Sequence, residues 1–207
     1  MTDKMMEKSC TEFAAELAGK VSVPGGGGAA AYVGALAVAL CSMVGNFTTG
    51  KKKYAEYEED VQRMLAEGET VRARLLELVE EDAAAFFPLS KAYGIPKEDP
   101  TRDEQLEKCT KAALAGPLEM MRQIAKAIEL LEEMNVKGSR MLISDVGCGA
   151  VCAAAAMRAA SLNVFINTKG LKDREYAAKV EAEADELLAY VPRAKAVADE
   201  VAAGIRA

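Results

Sequence analysis

Histidine and tryptophan are absent from this 207-residue chain, and aromatic residues make up only 5% of it. Without histidine the chain lacks the commonest general base near neutral pH and the commonest transition-metal ligand. Acid–base chemistry must therefore rest on carboxylates, lysine, tyrosine or cysteine. Positive charge is in deficit, with a net charge of -6, which argues against nucleic acid as the main partner. Strand-like composition is also scarce. Only Asn163-Val164-Phe165-Ile166-Asn167 has it, directly after an apolar helical stretch that it would equally well continue. The five cysteines (Cys10, Cys41, Cys109, Cys148 and Cys152) form no zinc-like set, because Cys148 and Cys152 share an apolar helix with no other soft ligand nearby. They read as reduced core thiols. The opening Met1-Thr2-Asp3-Lys4 carries no apolar leader, so a cytoplasmic location is expected.

Charge is missing altogether between Lys20 and Lys51. Inside that stretch Pro24-Gly25-Gly26-Gly27-Gly28 runs into Ala29-Ala30-Ala31-Tyr32 and an apolar segment ending near Phe47, the pattern of a glycine loop opening a buried helix. Such a loop admits two readings. Its amides and the positive end of the helix dipole would receive an anionic group, or its small residues simply allow close helix packing. Gly28 to Phe47 is about long enough to cross a bilayer. It is built mainly of Ala and Gly, however, and the other apolar stretch, Met141 to Thr168, is broken by Asp145 and Arg158, so a soluble buried helix and no membrane partner are expected.

The remaining chain reads as amphipathic helix: Met5 to Leu17, Tyr54 to Leu89, Arg102 to Met134 and Asp173 to Ile205, with Pro96, Pro100, Gly116-Pro117 and Gly138 marking loops or kinks. No repeat or linker divides it, so residues 1–207 are read as one domain. The expected fold is all-α, a compact bundle of about six to eight helices with glycine- and alanine-rich buried helices. Two such helices, near 29–46 and 146–162, carry too few bulky groups to fill ordinary gaps. A homodimer sharing a core suits them better than a lone monomer.

On the helix from Tyr54, residues Val71, Leu75, Leu78, Val79, Phe86 and Leu89 fall within one narrow arc, and Asp82 stands in its middle. Burial there would raise its pKa, as in a general acid or base; the alternative is a structural aspartate paired with lysine or capping another helix. Gly45-Asn46-Phe47-Thr48-Thr49-Gly50-Lys51 imitates a P-loop, but Lys52 replaces the metal-binding hydroxyl and no strand precedes it. Lys51, Lys52 and Lys53 form either an anion patch or a solvated helix start. Ser144-Asp145 reads as an N-cap for the second alanine-rich helix. Asp145 gains a second role only if that helix start lies near Asp82, where a carboxylate would bond an amino-substituted heterocycle.

Taken in order, Pro24-Gly25-Gly26-Gly27, Met43-Val44-Gly45-Asn46-Phe47-Thr48-Thr49-Gly50-Lys51, Asp82-Ala83 followed by Pro96-Lys97, Ser144-Asp145 and Asn163-Val164-Phe165-Ile166-Asn167 resemble one family across nearly the whole chain. It is the cyclodeaminase domain of formiminotransferase-cyclodeaminase together with its stand-alone relatives, methenyltetrahydrofolate cyclohydrolases. The resemblance implies an all-helical homodimer acting on one-carbon tetrahydrofolates, the folate lying in a cleft near the subunit interface, with Asp82 at the catalytic position and neither metal nor cofactor. The substrate's glutamate tail would meet Lys51, Lys52 and the amides after Pro24 (Gly25, Gly26, Gly27), and Asp145 would read the aminopterin ring. Hydrolysis of 5,10-methenyltetrahydrofolate and ammonia-releasing closure of 5-formiminotetrahydrofolate pass through the same tetrahedral carbon, and the lack of an attached transferase domain favours the first. A non-catalytic helical scaffold is the reading from outside enzymology.

Overall fold

Long stretches of Ala, Leu, Glu and Lys, with apolar residues every three or four positions, give nearly the whole chain a helical preference. The computed structural model describes residues 4–207 and contains seven α-helices: α1 (Cys10–Leu17), α2 (Gly26–Asn46), α3 (Glu58–Tyr93), α4 (Arg102–Lys137), α5 (Ile143–Thr168), α6 (Arg174–Leu188) and α7 (Tyr190–Arg206). Short 3-10 turns cover Met5–Glu7, Lys52–Tyr57 and Arg140–Leu142, and no strand occurs among the described residues. Met1-Thr2-Asp3, on which the expectation of no leader partly rests, lie outside the described residues.

Helix α2 is the axis of the bundle. A Cβ at Gly27 would meet Asp82 while one at Gly45 would meet Leu65, so α3 runs antiparallel to α2. Gly26 lies beside Asn163 and Gly149 beside Ala37 and Leu40, so α5 is antiparallel as well. Helix α4 runs parallel to α2, with Ile124 against Gly34 and Met134 against Gly45. The result is an up-down-up-down set of four helices, with α6 and α7 laid against α4 and α5. The core between them is lined by Val38, Leu75, Leu78, Ile124, Met157 and their neighbours.

Two kinds of contact hold these helices. Helix α4 adds ion pairs to its buried apolar face: Glu133 and Lys137 meet Arg63 and Asp60 of α3, Arg122 meets Glu183 of α6, and Glu132 meets Arg193 of α7. Helix α2 has no charged residue, and Asp145 and Arg158 of α5 form no ion pair among the described residues. These two helices are held by close fit. A Cβ at Gly149 would stand 2.8 Å from Leu131 and 3.1 Å from the Ala37 carbonyl oxygen, so only glycine lets the backbones approach this far.

Several elements differ from the sequence reading. The strand-like Asn163–Asn167 run is the end of α5. The final helix is two, because Pro192 has no N–H for the Leu188 carbonyl and the chain breaks at Ala189. Pro117 does not end α4, and Pro88 lies inside α3, which extends to Tyr93. Gly116, with no Cβ to crowd the proline ring, itself keeps the helical conformation that is disfavoured before proline. Ser144 and Asp145 do not cap α5: Leu142 holds the N-cap position after a 3-10 turn, and no side chain bonds the first amides. Of the cysteines, all free, only Cys41 is buried, its thiol pushed up to about 12 by burial; Cys10 and Cys148 are exposed instead of lying in the core. Finally, Arg140–Thr168 as well as Gly26–Asn46 is long and apolar enough to span a bilayer, since Arg140, Asp145 and Arg158 do not offset so many apolar residues.

Gly149→Ala should lower stability by about 1–3 kcal/mol, the usual cost of forcing a methyl into a filled interface. Gly204→Ala, where a Cβ meets nothing within 4 Å, should raise it by about 0.5 kcal/mol. Urea midpoints of the two variants check both signs.

Candidate functional site

Asp82 lies on the α3 face that carries Val71, Leu75, Leu78, Val79 and Leu89, all buried, as its helical spacing requires. That face packs on the start of α2. Gly25 is the N-cap of α2 and has no side chain to bond the first amides, so the carboxylate of Asp82 serves from the neighbouring helix: Gly28 N–H donates to its Oδ2 at 3.1 Å. A Cβ at Gly27 would stand 2.5 Å from Oδ1 and 2.6 Å from Oδ2 of Asp82. The glycine loop thus receives an anionic group from within the protein. Asp82 does cap another helix, as its structural reading anticipated, and it also faces open space.

That space is a cavity of about 250 Å³ lined by Asp82, by Gly25, Gly26 and Gly27, by Phe86 and Tyr93, and by Asn163 and Asn167. Burial raises the pKa of Asp82 above the ordinary carboxylate value, and the Gly28 hydrogen bond opposes the shift without cancelling it. Among the described residues no basic side chain lines the cavity, and none pairs the carboxylate as a salt bridge. A carboxylate of raised proton affinity, beside a small cavity with aromatic walls, is suited to exchanging protons with a flat bound molecule. A larger cavity of about 460 Å³ between α3 and α4 is lined by Arg63, Glu67 and Glu133, charges already satisfied by one another.

The residues expected to act together are divided. Gly25, Gly26, Gly27 and Asp82 meet at the cavity, whereas Pro24 is buried behind the loop against Gly28 and does not line it. Lys51 and Lys52 follow the far end of α2, about 30 Å along its axis from Gly27. Asp145 stands at the start of α5, about 27 Å from Asn163. Asp145 therefore does not approach Asp82 within one subunit, and neither lysine reaches the cavity. Asn163, Asn167 and Tyr93 were not anticipated. Two asparagines four apart in a helix share a face, a signal obscured when the segment is read for strand composition.

A family model described as formiminotransferase-cyclodeaminase matches residues 9–186. The chain belongs to this family. It is 41% identical over 177 residues to a protein of Methylorubrum extorquens named methenyltetrahydrofolate cyclohydrolase, covering 84% of this chain and 85% of that one. It is 30% identical over 188 residues to the mouse formimidoyltransferase-cyclodeaminase, covering 89% of this chain but only 35% of that longer protein. The crystal structure of formiminotetrahydrofolate cyclodeaminase from Thermotoga maritima superposes with a TM-score of 0.89 at 29% identity, covering 98% of this chain and 99% of that one. The all-helical fold is therefore shared over the full length.

The raised pKa of Asp82 makes a signed prediction. The folded protein binds more protons than the unfolded chain between 3.8 and the native pKa, so Asp82 weakens stability as pH rises through that window. Asp82→Asn should be more stable than the parent at pH 7, and its advantage should shrink as pH falls to 3.8 and below. Denaturant titrations at both ends of the range check it; an advantage that grows toward acid contradicts the burial argument.

Proposed function

We propose that this protein hydrolyses 5,10-methenyltetrahydrofolate to 10-formyltetrahydrofolate, with Asp82 carrying the protons. The observation that bears most weight is the half-buried carboxylate of raised proton affinity at a heterocycle-sized cavity, in a chain that matches a cyclohydrolase over most of both lengths. The methenyl bridge is a cationic amidinium, which an ionised carboxylate attracts. Water adds to the bridge carbon as Asp82 accepts one of its protons, giving a tetrahedral carbon between N5 and N10. The bond to N5 then breaks, N5 takes a proton from Asp82, the carbon becomes the formyl group on N10, and the second water proton leaves to solvent. Gly28 N–H holds the carboxylate in place during both transfers. The reaction so written uses neither metal nor cofactor, and a cytoplasmic location belongs to the same reading.

The likeness to the Thermotoga cyclodeaminase supports a second reading. Attack of N10 on the formimino carbon with loss of ammonia would use the same carboxylate, and the two reactions separate by substrate in one assay.

The proposal includes a homodimer, supported by the outer faces of α2 and α5. Val33, Leu36, Leu40, Met43 and Phe47 repeat at heptad spacing along α2, with Leu36 44% and Phe47 55% exposed. Val151, Leu162 and Ile166 continue the apolar face on α5, each more than half exposed. A second copy is the fitting occupant, because the apolar stripe runs along both helices and an antiparallel pair about an axis near Leu36 and Val151 sets it against its own copy. The same pairing carries the partner's Lys51 and Lys52 toward the cavity end, where they would meet the substrate's glutamate tail. At about 250 Å³ the cavity holds the ring system and leaves that tail outside.

Purified protein should speed the loss of methenyl absorbance, and Asp82→Asn should reduce kcat/KM by about 100- to 10,000-fold. The acid limb of kcat/KM should lie above 3.8, since a buried base loses activity sooner on acidification. Silence with the methenyl compound but its appearance from 5-formiminotetrahydrofolate would transfer the assignment to cyclodeaminase. In sedimentation, Leu36→Glu should turn a dimer into 22.0 kDa monomers; a parent protein that is already monomeric, or that needs detergent, removes the dimer from the proposal.

A further inference from the structure

Asn163 and Asn167 occupy the last turns of α5 and line the cavity with Asp82. The Nδ2 of Asn163 donates to the Ala159 carbonyl at 2.9 Å, and the Nδ2 of Asn167 donates to the Asn163 carbonyl at 2.8 Å. A backbone carbonyl can only accept, so each amide is anchored by its nitrogen and its Oδ1 is the end left over. Among the described residues neither Oδ1 receives a hydrogen bond. A third acceptor stands nearby: Ala113 also lines the cavity, and its carbonyl has no helical donor because position 117 is proline. Beside them Gly26 approaches Asn163 closely, a Cβ there standing 3.6 Å from its amide, and the first-turn amides of Gly26 and Gly27 have no hydrogen-bond partner among the described residues. The cavity thus offers fixed acceptors next to backbone donors.

We infer that Asn163 and Asn167 are specificity-determining residues that hold the edge of the substrate's ring system by accepting hydrogen bonds from its N–H groups. The matching chemistry is a flat lactam with an adjacent amino group, such as the 2-amino-4-oxo edge of a pterin. Its ring N–H and amino group donate to the two Oδ1 atoms, and its carbonyl accepts from the Gly26 or Gly27 amide. The inference rests on the folate reading above and assigns the ring to this subunit's own α5, in place of the distant Asp145. The anchoring serves selection. Because one N–H of each Nδ2 is tied to a helix carbonyl, neither amide can flip without losing that bond, so each Oδ1 keeps its orientation and a ring with donors along that edge is favoured over one with acceptors.

The test is calorimetric titration of the full chain with 5-formyltetrahydrofolate, which has no methenyl bridge to hydrolyse, and with its analogue lacking the 2-amino group. Parent, Asn163→Leu and Asn167→Leu are compared, with circular dichroism and thermal unfolding confirming that each is folded. Each variant should bind the folate about tenfold more weakly. Removing the amino group should weaken binding to the parent about tenfold, and to at least one variant hardly at all, since that variant has already lost the amino group's partner. A purely structural role would weaken both ligands equally. If the parent binds and both variants bind equally well, or if the amino group's contribution survives in both, the inference is overturned and the folate reading stands. If the parent binds neither ligand, both are overturned. Should a leucine variant fail to fold, Asn163→Ser and Asn167→Ser, which shorten the acceptor's reach without adding bulk, carry the same comparison.

Discussion

No side chain larger than hydrogen can stand at position 27 while Asp82 keeps its place. That steric fact organises the end of the molecule where chemistry is expected. It brings a carboxylate against the first turn of α2, where an unpaired amide and the dipole stabilise its charge, while the apolar flank of α3 withholds solvent and favours its proton. The two influences oppose one another, and burial prevails. The outcome is a group able both to take a proton and to return it, which hydrolysis of an amidinium requires.

The rest of the fold divides according to what each helix must do. Helix α4 meets α3, α6 and α7 through ion pairs at the surface, contacts that tolerate small displacements and contribute little apiece. Helices α2 and α5, which with α3 and α4 line the cavity, have no such contacts among the described residues. Their Ala and Gly residues bring backbones together on the inner side, while their outer sides present Leu36, Val151 and Leu162 to whatever lies beyond the subunit. One helix pair thus serves the site with one face and leaves an apolar stripe, the one proposed for pairing, on the other.

Much of this was legible in the residues. The arc of apolar positions around Asp82 identified its burial, and the glycines at 25–28 marked the start of a buried helix, because helical periodicity and backbone freedom are local properties; that the two meet was not legible. What periodicity could not supply was distance along the bundle. Lys51, Lys52 and Asp145 looked like companions of Asp82 by charge and by resemblance, yet helix lengths place them at the opposite end of the same subunit. Asn163 and Asn167 were hidden differently. Asn, Val, Phe and Ile have the composition of a strand, and only the preceding eighteen helical residues, Asp145 to Leu162, decide that the segment continues as helix. The break at Ala189 was readable from Pro192 and was masked by the helix-forming residues around it.

The notch at Gly27 also acts on the whole length of α3. A helix repeats nearly the same surface every turn, so two long helices with apolar seams can slide past one another by about 5.4 Å at little loss of burial. Here such a slip would drive Val79 or Phe86 toward the gap shaped for a carboxylate and strand Asp82 against a residue with a side chain. The glycine works as a detent, and Asp82 is the pin that drops into it. The group proposed to carry the protons thereby also sets the register of the two helices that hold it.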